Sequence, residues 1–234
     1  MDRTGSVMQA AFGQIWSNGY GASRWLRNLT IAVLLTTGSV QAETVTIAAL
    51  GDSLTAGYGL QQSDGFVAQM QAWLNEQGAD VRLINAGVSG DTTAGGRSRV
   101  DWTLTPDVDA MIIALGGNDY LRGIDPQVSR DNLDAILAAG QAAGVRMLLV
   151  GLDVGANYGP DYETAFERNY VELAEKYDVP LYPDMLSGMR AQASDPSQLG
   201  ALLQADGLHP NPRGVALIVR DLGPTLLELV ATVE

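Results

Sequence analysis

The chain contains one histidine, His209, within Asp206-Gly207-Leu208-His209-Pro210. Imidazole is the side chain best suited to take and return a proton near neutral pH. Asp206, three residues earlier, is close enough to hold that ring in one tautomer and to stabilise the imidazolium. The missing partner is a nucleophile. Ser53 offers one in Leu50-Gly51-Asp52-Ser53-Leu54, directly after the apolar run Val45-Thr46-Ile47-Ala48-Ala49. A serine placed just past a buried strand is presented at the sheet edge where open α/β folds keep their ligand crevice. Taken singly, Ser53 reads equally well as a helix N-cap, and His209 as a surface loop residue. The D-x-x-H spacing, the flanking Pro210 and Pro212 and the serine turn together point to acyl transfer through a serine.

That chemistry also needs hydrogen-bond donors for a developing oxyanion. Two further turns could supply them. In Asn85-Ala86-Gly87-Val88-Ser89-Gly90-Asp91-Thr92, Gly87 would let its backbone N–H approach a ligand closely. In Gly116-Gly117-Asn118-Asp119, the Asn118 amide donates without adding a charge that would shift the base. Helix capping and turn chemistry remain alternatives for Asp91, Thr92, Asn118 and Asp119. Other chemistries fail on spacing. Position 55 is Thr, so no G-x-S-x-G elbow surrounds Ser53. The single lysine, Lys176, follows Leu173 rather than a serine by three residues, and one histidine cannot make a paired-histidine zinc motif. With no cysteine, disulfides and thiol catalysis are excluded. Asp52, Asp91, Asp119 and Asp206 fit no cation-binding loop spacing, so no metal and no cofactor is expected.

These residues must be positioned by alternating strands and helices. The pattern predicts strands over 45–49, 81–85, 109–115, 145–150 and 179–182. It predicts helices over 65–77, 93–103, 131–141, 162–176 and 214–230. Such alternation implies a parallel sheet covered on both faces, a flavodoxin-like three-layer α/β/α sandwich with five strands. The candidate residues all fall in turns after strands.

The first 42 residues read as a removable targeting segment. Arg24 and Arg27 precede an apolar stretch at 29–40 and the small-residue site Val40-Gln41-Ala42. That stretch is shorter than the ~20 residues a bilayer span takes. Cleavage after Ala42 would send a single domain, 43–234, to the periplasm or the medium, with no stable membrane anchor. The remainder would carry 11 basic and 26 acidic residues, because three Arg and one Asp leave with the segment. So acidic a chain argues against a nucleic-acid partner or an anionic lipid surface.

Gly51-Asp52-Ser53-Leu54, Gly87 in its Ser-Gly-Asp-Thr turn, Gly117-Asn118-Asp119 and Asp206-x-x-His209 resemble, in order, the four sequence blocks of the SGNH (GDSL) hydrolases. The likeness is greatest to the bacterial periplasmic thioesterase I/protease I/lysophospholipase and arylesterase branch. It extends through Leu121-Arg122-Gly123 and Ala156-Asn157-Tyr158-Gly159. The resemblance implies Ser53 as nucleophile, His209 as base and Asp206 as the orienting acid. It implies an oxyanion hole from the Ser53 and Gly87 N–H groups and the Asn118 side chain. It implies substrate contacts from Asp52, Leu54, Tyr120, Leu121, Val154, Gly155 and Tyr158, with the loop 120–125 moving over bound substrate. The expected activity is hydrolysis of small carboxylic esters and acyl thioesters by a monomer. The alternatives are a carbohydrate-acetyl esterase of the same superfamily and a non-catalytic phosphate-binding module. Gly155 stands where close relatives place a proline, which leaves the acyl-length preference open.

Overall fold

The computed structural model describes residues 44–193 and 195–233. The expected targeting segment, 1–42, lies outside the described residues. In chain order the elements are β1 (Val45–Gly51), α1 (Ser53–Ala56), α2 (Phe66–Glu76), β2 (Val81–Gly87), α3 (Thr93–Thr103), β3 (Ala110–Ala114), α4 (Gly117–Leu121) and α5 (Pro126–Ala142). They continue with β4 (Arg146–Val150), α6 (Pro160–Tyr177), β5 (Leu181–Tyr182), α7 (Ser187–Arg190), α8 (Pro196–Gly200) and α9 (Pro212–Val230).

The five strands form one sheet in the order β2-β1-β3-β4-β5, and every pairing is parallel. Because side chains alternate along a strand, each strand feeds two cores. Ile47, Ala49, Ile112 and Leu148 pack with Phe66, Met70 and Leu74 of α2 and with Ile218, Leu222 and Leu226 of α9. Ala48, Leu50, Met111, Ile113 and Leu149 pack on the other face, with Val100 of α3, Leu133, Ile136 and Leu137 of α5, and Phe166, Tyr170 and Leu173 of α6. The fold is thus the expected three-layer sandwich. Its driving force is the burial of these two apolar layers, worth roughly 25 cal/mol per Å² of apolar surface.

Several boundaries differ from expectation. β1 runs on to Gly51 and β2 to Gly87, which pair with each other in register. α5 begins at Pro126, five residues before the expected start. Asp125 caps it, accepting from the Gln127 N–H at 2.9 Å, and proline fits the first helical turn. Ser53 is not an N-cap: it opens α1, and the cap is Asp52, whose Oδ1 accepts from Leu54 N–H at 3.0 Å.

The order β2-β1-β3 means the chain leaves β1 toward one edge of the sheet and then returns to its other side. The carboxyl ends of β1, β2 and β3 lie side by side at this switch point, with Gly51 opposite both Gly87 and Ala114. Doubly wound sheets open their crevice at such a point.

Candidate active site

Three distant segments meet at that crevice. Ser53 Oγ lies 2.8 Å from His209 Nε2, and His209 Nδ1 lies 2.7 Å from Asp206 Oδ2. The other carboxylate oxygen, Asp206 Oδ1, accepts from the backbone N–H groups of Leu208 and His209, each at 3.0 Å. Those two bonds, together with the imidazole, hold the Asp206 carboxyl down at about 2. Asp206 is therefore ionised throughout the neutral range and fixed by its own turn.

The loop carrying His209 is anchored by groups that spacing alone does not reveal. The Gln204 N–H donates to the His209 carbonyl at 2.7 Å. Its side-chain Nε2 donates to the Pro210 carbonyl and, at 2.8 Å, to the carbonyl of Tyr58. Gln204 thus ties the histidine loop to the serine turn. The Tyr58 ring also packs against the imidazole, with centroids 4.7 Å apart.

Asn118 lines the same crevice. Its Nδ2 donates to the Asp91 carbonyl at 2.9 Å and, over a longer 3.4 Å, to Asp52 Oδ2. Asp52 is buried, and that burial pushes its carboxyl up to about 6 against the lowering effect of the Leu54 N–H, His209 and Asn118. Next door, the buried Asp119 accepts from Thr93 N–H at 2.8 Å, from the Thr93 hydroxyl at 2.5 Å and from Ser129 at 3.1 Å. The turn after β3 and the start of α3 are therefore clamped together. The N-cap of α4 is Gly116, so neither Asn118 nor Asp119 caps its own helix, but the Asp119 carboxylate accepts the N–H of Thr93 at the start of α3.

Gly87 requires a correction. Its N–H donates to the Asn85 side chain at 3.0 Å, within β2. A Cβ at that position would sit 2.3 Å from the Ala56 backbone nitrogen, so glycine is needed there to let β2 pack against α1. Gly87 does not line the crevice. Gly90 does, with Ser89, and its φ of +86° suits glycine.

A cavity of about 370 Å³ opens beside Ser53. Asp52, Leu54, Tyr120, Leu121, Val154 and Gly155, six of the expected substrate-contact residues, line it. So do Tyr58, Leu152, Leu186, Arg190 and Leu208, which were not anticipated. Tyr158 does not line it. Its ring meets Tyr120 edge-on at 5.9 Å and its hydroxyl donates to the Leu121 carbonyl at 3.3 Å, so it backs the loop from outside. Arg190 forms ion pairs with Asp153 and Asp184 at the edge of the cavity. Among the described residues no group of three or more His, Cys, Asp or Glu is arranged to hold a metal ion, and no helix is long and apolar enough to cross a membrane.

A hydroxyl, an imidazole and a carboxylate in line, at the switch point of a flavodoxin-like sheet, define a site equipped for serine acyl transfer. Residues 49–217 match the GDSL-like lipase/acylhydrolase family, and the chain belongs to that family. It is similar to Esterase TesA of Pseudomonas aeruginosa, 36% identical over 201 residues that cover 86% of this chain and 96% of that one. It is also similar to thioesterase 1/protease 1/lysophospholipase L1 of Escherichia coli, 36% identical over 190 residues, 80% of this chain and 85% of that one. Among solved structures, AlinE4, an SGNH-hydrolase family esterase, aligns with a TM-score of 0.64 at 41% identity, over 80% of this chain and 96% of that one.

Proposed function

We propose that Ser53, His209 and Asp206 form the catalytic triad of a carboxylic ester hydrolase that also accepts acyl thioesters. The observation carrying this reading is the unbroken hydrogen-bonded chain Ser53–His209–Asp206 opening onto a largely apolar cavity. With Nδ1–H donated to Asp206, Nε2 is free to accept the Ser53 proton as Oγ attacks the carbonyl carbon. The C–O or C–S bond of the tetrahedral intermediate then breaks, and His209 returns the proton to the leaving group. Water, deprotonated by the same Nε2, attacks the acyl-serine and releases the acid.

The oxyanion would be met by three donors. The Ser53 N–H, at the first helical position of α1, has no acceptor within its helix. Gly90 lines the same cavity, and its N–H would be the second donor in place of that of Gly87. Asn118 offers the N–H that makes only the long bond to Asp52. The acyl chain would lie among Leu54, Tyr120, Leu121, Leu152 and Val154, side chains that suit hydrocarbon better than sugar.

We further propose a monomer with one catalytic domain, 43–234, released to the periplasm or beyond after cleavage at Ala42. The acyl-transfer reading is tested by Ser53→Ala. The variant should fold, lose turnover of p-nitrophenyl acetate, and resist a fluorophosphonate probe that labels the parent at Ser53. Wild-type turnover in this variant would refute the assignment.

A further inference from the structure

Arg99 lies in the second turn of α3, and its side chain is mostly buried, 21% exposed. Its guanidinium makes three hydrogen bonds, each to a different segment. Nε donates to Asp91 Oδ2 at 2.6 Å, Nη1 to the Ala86 carbonyl at 2.5 Å and Nη2 to the Gly51 carbonyl at 2.7 Å. Gly51 ends β1 two residues before Ser53, and Ala86 lies one residue from the end of β2. Asp91 follows Gly90, and its carbonyl accepts from Asn118. One planar group therefore holds the strand ends that lead to Ser53 and toward Gly90, together with the side chain of Asp91, whose carbonyl receives the Asn118 amide.

We infer that Arg99 is the positioning residue of the oxyanion hole, holding the Ser53, Gly90 and Asn118 donors in mutual register. The inference rests on the oxyanion hole proposed above. Two physical effects support it. A guanidinium presents a rigid fork of donors, so its three acceptors cannot drift independently, whereas a lysine ammonium on a flexible stem is a point donor. Arg99 also pairs with the Asp91 carboxylate, 20% exposed, next to the hole. Unpaired, that negative charge would oppose the oxyanion in a partly buried site. Catalysis through preorganised donors is sensitive to small displacements.

The test uses the full chain as Arg99→Lys and Arg99→Ala. Each is titrated to completion with a fluorophosphonate, so that rates are expressed per labelled Ser53. For p-nitrophenyl butyrate, kcat per labelled site should fall about tenfold or more in both variants, as for a displaced oxyanion donor. KM should stay within about twofold, because the apolar walls are untouched. Millimolar guanidinium ion should raise kcat of Arg99→Ala and leave the parent unchanged. If Arg99→Ala does not fold, Arg99→Lys carries the same reading. A kcat per labelled site equal to the parent's would overturn the inference, as would a loss explained wholly by fewer labelled sites. Failure of the parent itself to label at Ser53 would instead sink the proposed function.

Discussion

Asp52 offers a quantitative check on the site's electrostatics. Only 5% of it is exposed, it caps α1 through Oδ1, and its carboxyl is raised from the ordinary 3.8 to about 6, chiefly by burial. A raised carboxyl means that the folded chain keeps a proton which the unfolded chain has already released. Stability therefore falls as pH rises from about 4 to about 6, then levels off. At about 1.4 kcal/mol per pH unit, the interval is worth about 3 kcal/mol at neutral pH, an order-of-magnitude figure. Asp52→Asn removes the charge and keeps an oxygen that can cap Leu54. The swap also changes the contact with Asn118, which adds an offset independent of pH. The unfolding free energy of Asp52→Asn minus that of the parent should accordingly grow by about 2 kcal/mol between pH 4 and pH 7, since at pH 4 the unfolded carboxyl is already more than half ionised. Asp206, held down at about 2, loses its contribution only below the ordinary 3.8, and Asp184, also raised by burial, is common to both proteins. Their effects cancel in the difference. Urea denaturation with linear extrapolation at pH 4, 5, 6 and 7 provides the measurement. A difference that does not vary with pH would refute the claim that burial raises the Asp52 carboxyl above its ordinary value.

Two more outcomes follow from the same geometry. Asn118→Ala should lower kcat on the order of 10²- to 10³-fold with little change in KM, because in the proposed mechanism the N–H that makes only the long bond to Asp52 turns to the oxyanion in the transition state; a change confined to KM would make Asn118 a binding residue. Expressed with residues 1–42 in a Gram-negative host, the protein recovered from the periplasm should begin at Glu43, as N-terminal sequencing would show. A protein retaining residues 1–42 would refute the targeting proposal.

The parts of the site that could be read directly are those fixed by chemistry local to the chain. One histidine exists, and an aspartate three residues before it can bond both the ring and the backbone of the same turn, as Asp206 does. The strands were legible because residues buried on both faces form continuous apolar runs. The opening of α5 was not, since its first turn depends on the Asp125 cap and a proline rather than on apolar periodicity. Gly87 and Gly90 stand three residues apart in one turn. Which of them meets the crevice depends on where β2 ends, and that is settled by two tertiary contacts: the Asn85 side chain on the Gly87 N–H and the backbone of α1 against its Cα. Gln204 had no signal at all, because its acceptors lie on the Tyr58 and Pro210 carbonyls, one of them 146 residues away.

Arg99 shows why the remainder resisted inspection. An arginine on a helix beside Ser98 and Asp101 reads as part of a solvated face. Its side chain instead reaches the carboxyl ends of β1 and β2, where it donates to the Gly51 and Ala86 carbonyls. Val88 N–H satisfies the Gly51 oxygen once at 3.1 Å, and Arg99 Nη2 satisfies it again. Backbone carbonyls at the end of a parallel ladder need donors wherever they are shielded from water. A guanidinium that meets this need at two adjacent strand ends fixes the turns that leave them. In the proposed oxyanion hole the same bonds align the donors around Ser53, and they are made to backbone carbonyls that no residue type reveals.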